Sequence, residues 1–387
     1  MANEGFNTFV LGQPPAASAA ATDSVPLIQA GSTSRAAVST ITPYYLVGPT
    51  GGDDTAMLNS AFANSPSRPV MLSFGQYNVS GPLTVPDYGV VLGAGEINLN
   101  DYWHNRSTPR INLVLNPTNS FVNGQAAINM GNYSHVKDFS IVGLRNYAGH
   151  AQVNGVNIKN KAYSIVEGLY ITLCYDGING VSDGSVSGGS PWGNNSIGNV
   201  IRGCFIGYSE EYGFYSWGGN GGYFSDAEIT QLWCGACNAG AVNVGSGFGN
   251  SRFVNCRIED QGSGIHIMNT GAILMSGCLF DRNGAPITID NSLSISITGC
   301  MSTSAGNNGS GSGGTGTHVF FKNSCANIQL AGNVYNQGAA ATSYTYGVQS
   351  AGTVSGAFCE GGGGNTVQYQ DAYSQSVIAP LMVKLGP

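Results

Sequence analysis

Three cysteines stand 22 residues apart, at Cys256, Cys278 and Cys300, each inside a matching frame. The frames read Phe253-Val-Asn-Cys-Arg-Ile-Glu259, Met275-Ser-Gly-Cys-Leu-Phe-Asp281 and Ile297-Thr-Gly-Cys-Met-Ser-Thr303. Self-similarity at a fixed period constrains a chain more than any local propensity, because each copy must be one supersecondary unit that buries its core against its neighbours. The frame extends in both directions. Aligned by it, Phe139, Leu169, Cys204, Leu232, Cys256, Cys278, Cys300, Asn333 and Ala357 form one stack, with steps of 30, 35, 28, 24, 22, 22, 33 and 24 residues. The longer steps contain loop-like inserts at 144–152, 182–198, 218–222 and 305–317, and without these the steps return toward the low twenties.

Short β-type runs on a period of about 22, separated by Gly and Asn, predict one coil of a parallel β-helix per repeat. Equivalent residues then lie ~4.8 Å apart, and a compact thiol suits an interior ladder. Sharp coil corners need φ > 0, which accounts for 58 glycines in 387 residues. A leucine-rich repeat has a similar period, but its leucine signature is absent, and a propeller blade needs about 40 residues. Charged residues are only 9% of the chain and the formal net charge is −7, so a phosphate backbone is a poor ligand and no nucleic-acid partner is expected. No apolar run approaches the ~20 residues of a membrane span. The opening Met-Ala-Asn-Glu-Gly has no basic segment leading into an apolar one, so no secretory signal is expected. The nine cysteines are expected to be mostly reduced and buried.

The chain divides into a head at 1–45, a β-helix at 46–365 and, at 366–387, a C-terminal strand or a tail that closes an oligomer. The head is rich in Ala, Ser, Thr and Pro and reads as strand-turn-strand followed by a short helix. Its Asp23-Ser-Val-Pro-Leu-Ile-Gln-Ala-Gly31 is similar to the amino-terminal segments that attach bacteriophage tail proteins to the virion, the competing reading being a generic capping segment for the β-helix. Then Asp53 or Asp54 can cap a helix whose Met57, Leu58, Ala61 and Phe62 form one face. Asp53-Asp-Thr55, Phe74-Gly-Gln-Tyr77, Ser80-Gly-Pro-Leu83 and Leu92-Gly-Ala-Gly95 together resemble the entry to the pectate-lyase-like right-handed β-helices of phage tailspikes. The resemblance implies an all-β, right-handed parallel β-helix with a capping helix. It also implies a homotrimer in the phage tail, held to a tail or baseplate protein through 1–45, that recognises bacterial surface polysaccharide and cuts it. Catalytic residues move about within that family, so none is transferred by motif.

The residues themselves offer two carboxylate pairs, the minimum for glycoside hydrolysis. If Cys256 and Cys278 point inward, so do Ile258 and Phe280. Glu259 and Asp281 then share an outward column on adjacent coils, where mutual repulsion favours a general acid. Asp226 and Glu228 flank Ala227, and both face out if Ala227 and Ile229 face in. Alternation back from Leu232 opposes this, so a bend is required between Ile229 and Leu232. Arg252 falls opposite Glu228 in the next coil. For either pair the competing reading is a set of solvated charges or a structural ion pair. Glu210 and Glu211 read as solvated corner residues.

Aromatic rings offer apolar contact to sugar faces with a polar edge beside it. Trp217, Tyr212, Tyr215, Trp192 and Trp233 are the substrate-binding candidates, with Arg252 as an orienting cation, while Phe214 and Phe224 read as core. Cys234-x-x-Cys237 lacks a partner pair, so no metal and no cofactor is expected. Two rival functions share the fold: a non-enzymatic adhesin or structural tail component, and a polysaccharide lyase.

Overall fold

The computed structural model describes residues 44–94, 111–117, 121–182, 195–219, 222–259, 262–303 and 317–336, together with segments 24–29, 32–37, 346–351, 353–355, 358–359 and 369–371. Strands Ser24–Gln29 and Ser32–Ala37 pair antiparallel, as a strand-turn-strand head requires. The helix that was expected to follow lies outside the described residues.

From Tyr45 onward the described strands pair in parallel in three long sheets, and each coil from Val70 to Ser350 contributes to all three. The fold is a right-handed parallel β-helix. In the coil that begins at His135, His135–Lys137 belongs to sheet I, Ser140–Val142 to sheet II and Asn154–Asn157 to sheet III. Inward residues stack coil on coil. Sheet I contributes Val136, Val166, Ile201, Ile229, Phe253, Met275 and Ile297, none more than 1% exposed. Sheet III contributes Val156, Ile178, Phe214, Val242, Ile265 and Ile287 in the same way.

The repeat register read from the sequence matches the pairing register from Phe139 to Asn333, and all eight of these stack residues are buried. They sit at the corner between sheets I and II. The residue before each one adopts positive φ: Asp138, Gly168, Gly203, Gln231, Asn255, Gly277, Gly299 and Gly332. The left-handed residue turns the chain, so strand alternation restarts there. Gln231, at φ 53°, is the bend that the outward facing of Asp226 and Glu228 demanded. Asn333 replaces a thiol by bonding: its Nδ2 donates to Ile297 O at 2.9 Å and its Oδ1 accepts from Cys300 N at 2.9 Å. The eight cysteines whose side chains are described are buried and form no disulfide. Burial pushes thiols such as Cys204 up, to about 12.

The last step of the predicted stack is corrected. Ala357 lies outside the described residues, and its neighbours fix a different register: Val354 pairs with Cys325 and Phe358 with Gln329, a step of 29 rather than 24. Val354-Ser-Gly imitates Ile297-Thr-Gly in composition but lies earlier in its coil. Strand Tyr369–Asp371 continues sheet III in parallel beyond residue 365.

The helix Thr55–Ala63 covers the first coils with Leu58, Ala61 and Phe62 buried. Asp54 is its N-cap by position, yet its side chain does not cap. Its carboxylate accepts from Thr50 N at 2.8 Å and from Asn78 N at 3.0 Å, fastening the helix to the first coils. Among the described residues no helix is long and apolar enough to cross a membrane.

Candidate functional site

The outward face of sheet I gathers charge that is scarce elsewhere. His135 and Lys137, then Glu167, Arg202, Glu228 and Arg252 come from successive strands of that sheet. Glu167 is the hub. Its carboxylate lies 2.7 Å from Arg202 Nη2, 3.2 Å from Lys137 Nζ and 3.0 Å from His135 Nε2. Burial opposes its ionisation, but the bonds and charges of Arg202 and Lys137 outweigh that and hold the carboxyl at about 2. A folded value below the usual 4.5 gives stability that is present above pH 4.5 and lost as pH falls through 2. The advantage of the unaltered protein over Glu167→Gln, read as a urea midpoint, is therefore expected to be full at pH 7, reduced at pH 3 and absent below 2.

Beside this hub, Asp226, Glu228, Asn250, Arg252, Ala272 and Leu274 line an open groove of about 470 Å³, with Ser294 at its far end. The two carboxylates and the arginine singled out from sequence thus meet in one place. Ala227 and Ile229 are buried, so Asp226 and Glu228 both face out. Arg252 pairs in register with Glu228, and its Nη2 lies 2.5 Å from Glu228 Oε2. Asp226 accepts from Ser225 Oγ at 3.0 Å. The charge of Glu228 also acts on Arg202, which links the groove to the Glu167 hub.

Glu259 and Asp281 do stand opposite each other, on sheet II. The solvent-facing carboxylate pair is corrected, because Glu259 is 1% exposed. Trp233 Nε1 donates to Glu259 Oε1 at 2.7 Å, and Arg257 lies 2.9 Å from Oε2. The same guanidinium sits 4.5 Å above the Trp233 ring. Asp281 accepts from Thr303 Oγ1 at 2.6 Å. Trp233 is therefore a cover for a carboxylate.

Tyr212, Tyr215 and Trp217 do not line the groove. Tyr212 and Tyr215 belong to sheet III and stack on each other at 5.5 Å. Trp217 is half-buried: its ring lies over Gly245 of the next coil, where an added Cβ would come within 2.0 Å of it. Trp192 lies outside the described residues.

Two features were missed from sequence. One is Asp176, at the corner between sheets II and III. Burial is the largest cause pushing its carboxyl up to about 7, and Glu211 adds to it against the bonds from Tyr212 N and Asn179. The other is a file of exposed tyrosines. Tyr88, Tyr133 and Tyr163 are 62%, 37% and 38% exposed. Their rings stack with centroids 5.1 and 5.2 Å apart and interplanar angles of 2° and 15°. All three adopt positive φ, at a cost of about 1–2 kcal/mol for a side-chain-bearing residue. They occupy the corner before sheet I, the position that Gly198, Asp226, Asn250, Ala272 and Ser294 hold in later coils. Among the described residues no group of three or more metal-ligating side chains occurs.

The fold and this face define a right-handed parallel β-helix protein with its polar chemistry arranged along the coil axis. Residues 192–367 match the family model described as the right handed beta helix region. Among solved structures, the chain is similar to the enzymatically active domain of bacteriophage CBA120 tailspike protein 2, with 13% identity and a TM-score of 0.59 over 86% of this chain and 50% of that one. It is similar to ORF18 of Geobacillus virus E2, with 13% identity and a TM-score of 0.56 over 86% and 68% of the two chains. It is also similar to the DFA-IIIase of Arthrobacter chlorophenolicus in complex with GF2, with 12% identity and a TM-score of 0.60 over 83% and 88%. The chain thus spans half the length of that tailspike domain. At this identity the likeness is one of fold. No curated protein matches the sequence.

Proposed function

We propose that this is a tailspike-type virion protein of a bacteriophage that binds bacterial surface polysaccharide in the Asp226–Glu228–Arg252 groove and hydrolyses it there. The observation that carries the reading is the convergence of two outward carboxylates and an arginine in one groove on an otherwise charge-poor solenoid. The fold likeness to the enzymatically active domain of a tailspike, and to a DFA-IIIase in complex with GF2, supports it. Glu228, held by Arg252, takes the proton of the attacking water. Asp226 gives a proton to the leaving glycosidic oxygen as the bond between that oxygen and the anomeric carbon breaks. The water oxygen becomes the new hydroxyl, so atoms and charge balance. Attachment to a tail protein through 1–45 and assembly as a homotrimer complete the reading.

The test is to incubate the protein with capsule and O-antigen polysaccharide from candidate host strains and to size the products. Shortened chains with new reducing ends support hydrolysis. Capture without shortening supports the adhesin reading, and a product absorbing in the ultraviolet supports a lyase.

A second site is favoured by one observation. Burial pushes the Asp176 carboxyl up to about 7, where a general acid works, and places it at the corner shared with Glu211 and the Tyr212–Tyr215 stack. Its 2% exposure favours the groove instead, because a buried carboxyl has to be uncovered before it reaches a glycan. Activity falling as pH rises through about 7, with the fall abolished in Asp176→Asn, would move the chemistry to that corner.

A further inference from the structure

We propose that Tyr88, Tyr133 and Tyr163 extend the groove into one linear glycan track, so that an extended polysaccharide chain lies along the coil axis with successive sugars over the tyrosine file and then over Asp226, Glu228 and Arg252. The inference rests on the reading that the groove binds polysaccharide.

Three observations carry it. First, the tyrosines are conformationally disfavoured where they sit. Later coils fill the same corner with Gly198, Asp226, Asn250, Ala272 and Ser294, residues that are small or tolerate positive φ. The turn itself therefore does not call for a bulky ring at this corner. Second, the rings are exposed, so burial in the core does not explain them. Third, file and groove occupy one corner in unbroken register, and the ring over Gly198 joins them: an added Cβ there would stand 2.6 Å from the Tyr163 ring.

The chemistry of the file selects the ligand. Three phenol rings without a charge offer apolar carbon and a hydroxyl to each successive unit of a pyranose chain. They repeat once per coil, 5.1 and 5.2 Å apart, close to the advance per sugar in an extended polysaccharide. From Tyr88 to Ser294 the corner runs through eight coils, roughly 34 Å at ~4.8 Å per coil. A track of that length discriminates by chain length. Short oligosaccharides fill the groove alone, whereas long ones also engage the tyrosines.

The experiment uses Tyr88→Asn, Tyr133→Asn and Tyr163→Asn combined in the full chain. Asn is what Asn250 and Asn327 supply at this corner, so the backbone turn is kept. The probes are arrayed O-antigen, capsular and exopolysaccharides from a taxonomically broad set of bacteria. Those that the unaltered protein binds are then hydrolysed to fragments and separated by length. The expected result is a fall in affinity of at least about tenfold for long fragments and no change for fragments of two or three sugars. Equal binding at every length by the folded variant would overturn the track and leave the stack a structural feature. Failure of the unaltered protein to bind any of the polysaccharides would instead overturn the reading on which the track rests.

Discussion

Replacing Asp226 with Asn and Glu228 with Gln is expected to lower oligosaccharide release by about 10²–10⁴-fold while leaving polysaccharide capture intact. Both side chains face solvent, and the buried residues beside them, Ala227 and Ile229, are unchanged, so the fold has no reason to yield. The amide at 228 keeps a hydrogen-bonding partner for Arg252 but cannot take a proton. The amide at 226 cannot give one as a carboxylic acid does. The single change Arg252→Ala separates two roles. If the guanidinium orients the glycan as well as Glu228, binding weakens along with turnover. The matching substitutions Glu259→Gln and Asp281→Asn are expected to spare turnover, because their carboxylates are engaged by Trp233, Arg257 and Thr303. Products sized by gel filtration, with binding measured separately, check each outcome. Full turnover in the Asp226 and Glu228 double variant would remove the groove from the chemistry.

Phe248→Ala is expected to destabilise the coils beneath the groove by about 3–5 kcal/mol, the range for truncating a buried aromatic. Phe248 is fully buried. Its ring stacks on Phe224 at 5.6 Å and lies 6.1 Å from Phe214 and 6.0 Å from Phe253. These four rings fill the interior behind Asp226 and Glu228, where strands of sheet I leave the corner. Neighbouring coils contact each other and little else, so the loss should be local. Hydrogen exchange should therefore quicken around 224–254 before it does in coils near Val136, and the denaturant midpoint should fall. A variant as stable as the unaltered protein would mean that the rings do not pack as one interior cluster.

The coil register was legible because one small buried residue recurs at a single corner. A thiol at Cys256, Cys278 or Cys300 leaves a periodic mark that survives inserts elsewhere in the coil. The bend at Gln231 followed from a conflict within the pattern, since no straight strand could bury both Ile229 and Leu232. The register failed at Ala357, where Val354-Ser-Gly copied the motif without its position. The burial of Glu259 was not legible, because it depends on Trp233, which reaches it from the preceding coil. The tyrosine file escaped for a similar reason. Its members are separated by 45 and 30 residues, and only the strand pairing shows that Tyr88, Tyr133 and Tyr163 are successive. Asp176 gave no motif at all, because its raised affinity for a proton comes from burial at a corner.

Locating a bound glycan is the most direct test. A crystal of the protein carrying the Asp226 and Glu228 amides, soaked with the longest polysaccharide fragment it captures, would show where the sugars lie. Sugar units over Arg252 and Asp226, running along the coil axis toward Tyr163, are the expected result. Sugars on the sheet III face at Tyr212 and Tyr215, or lying across the coils, would contradict the account.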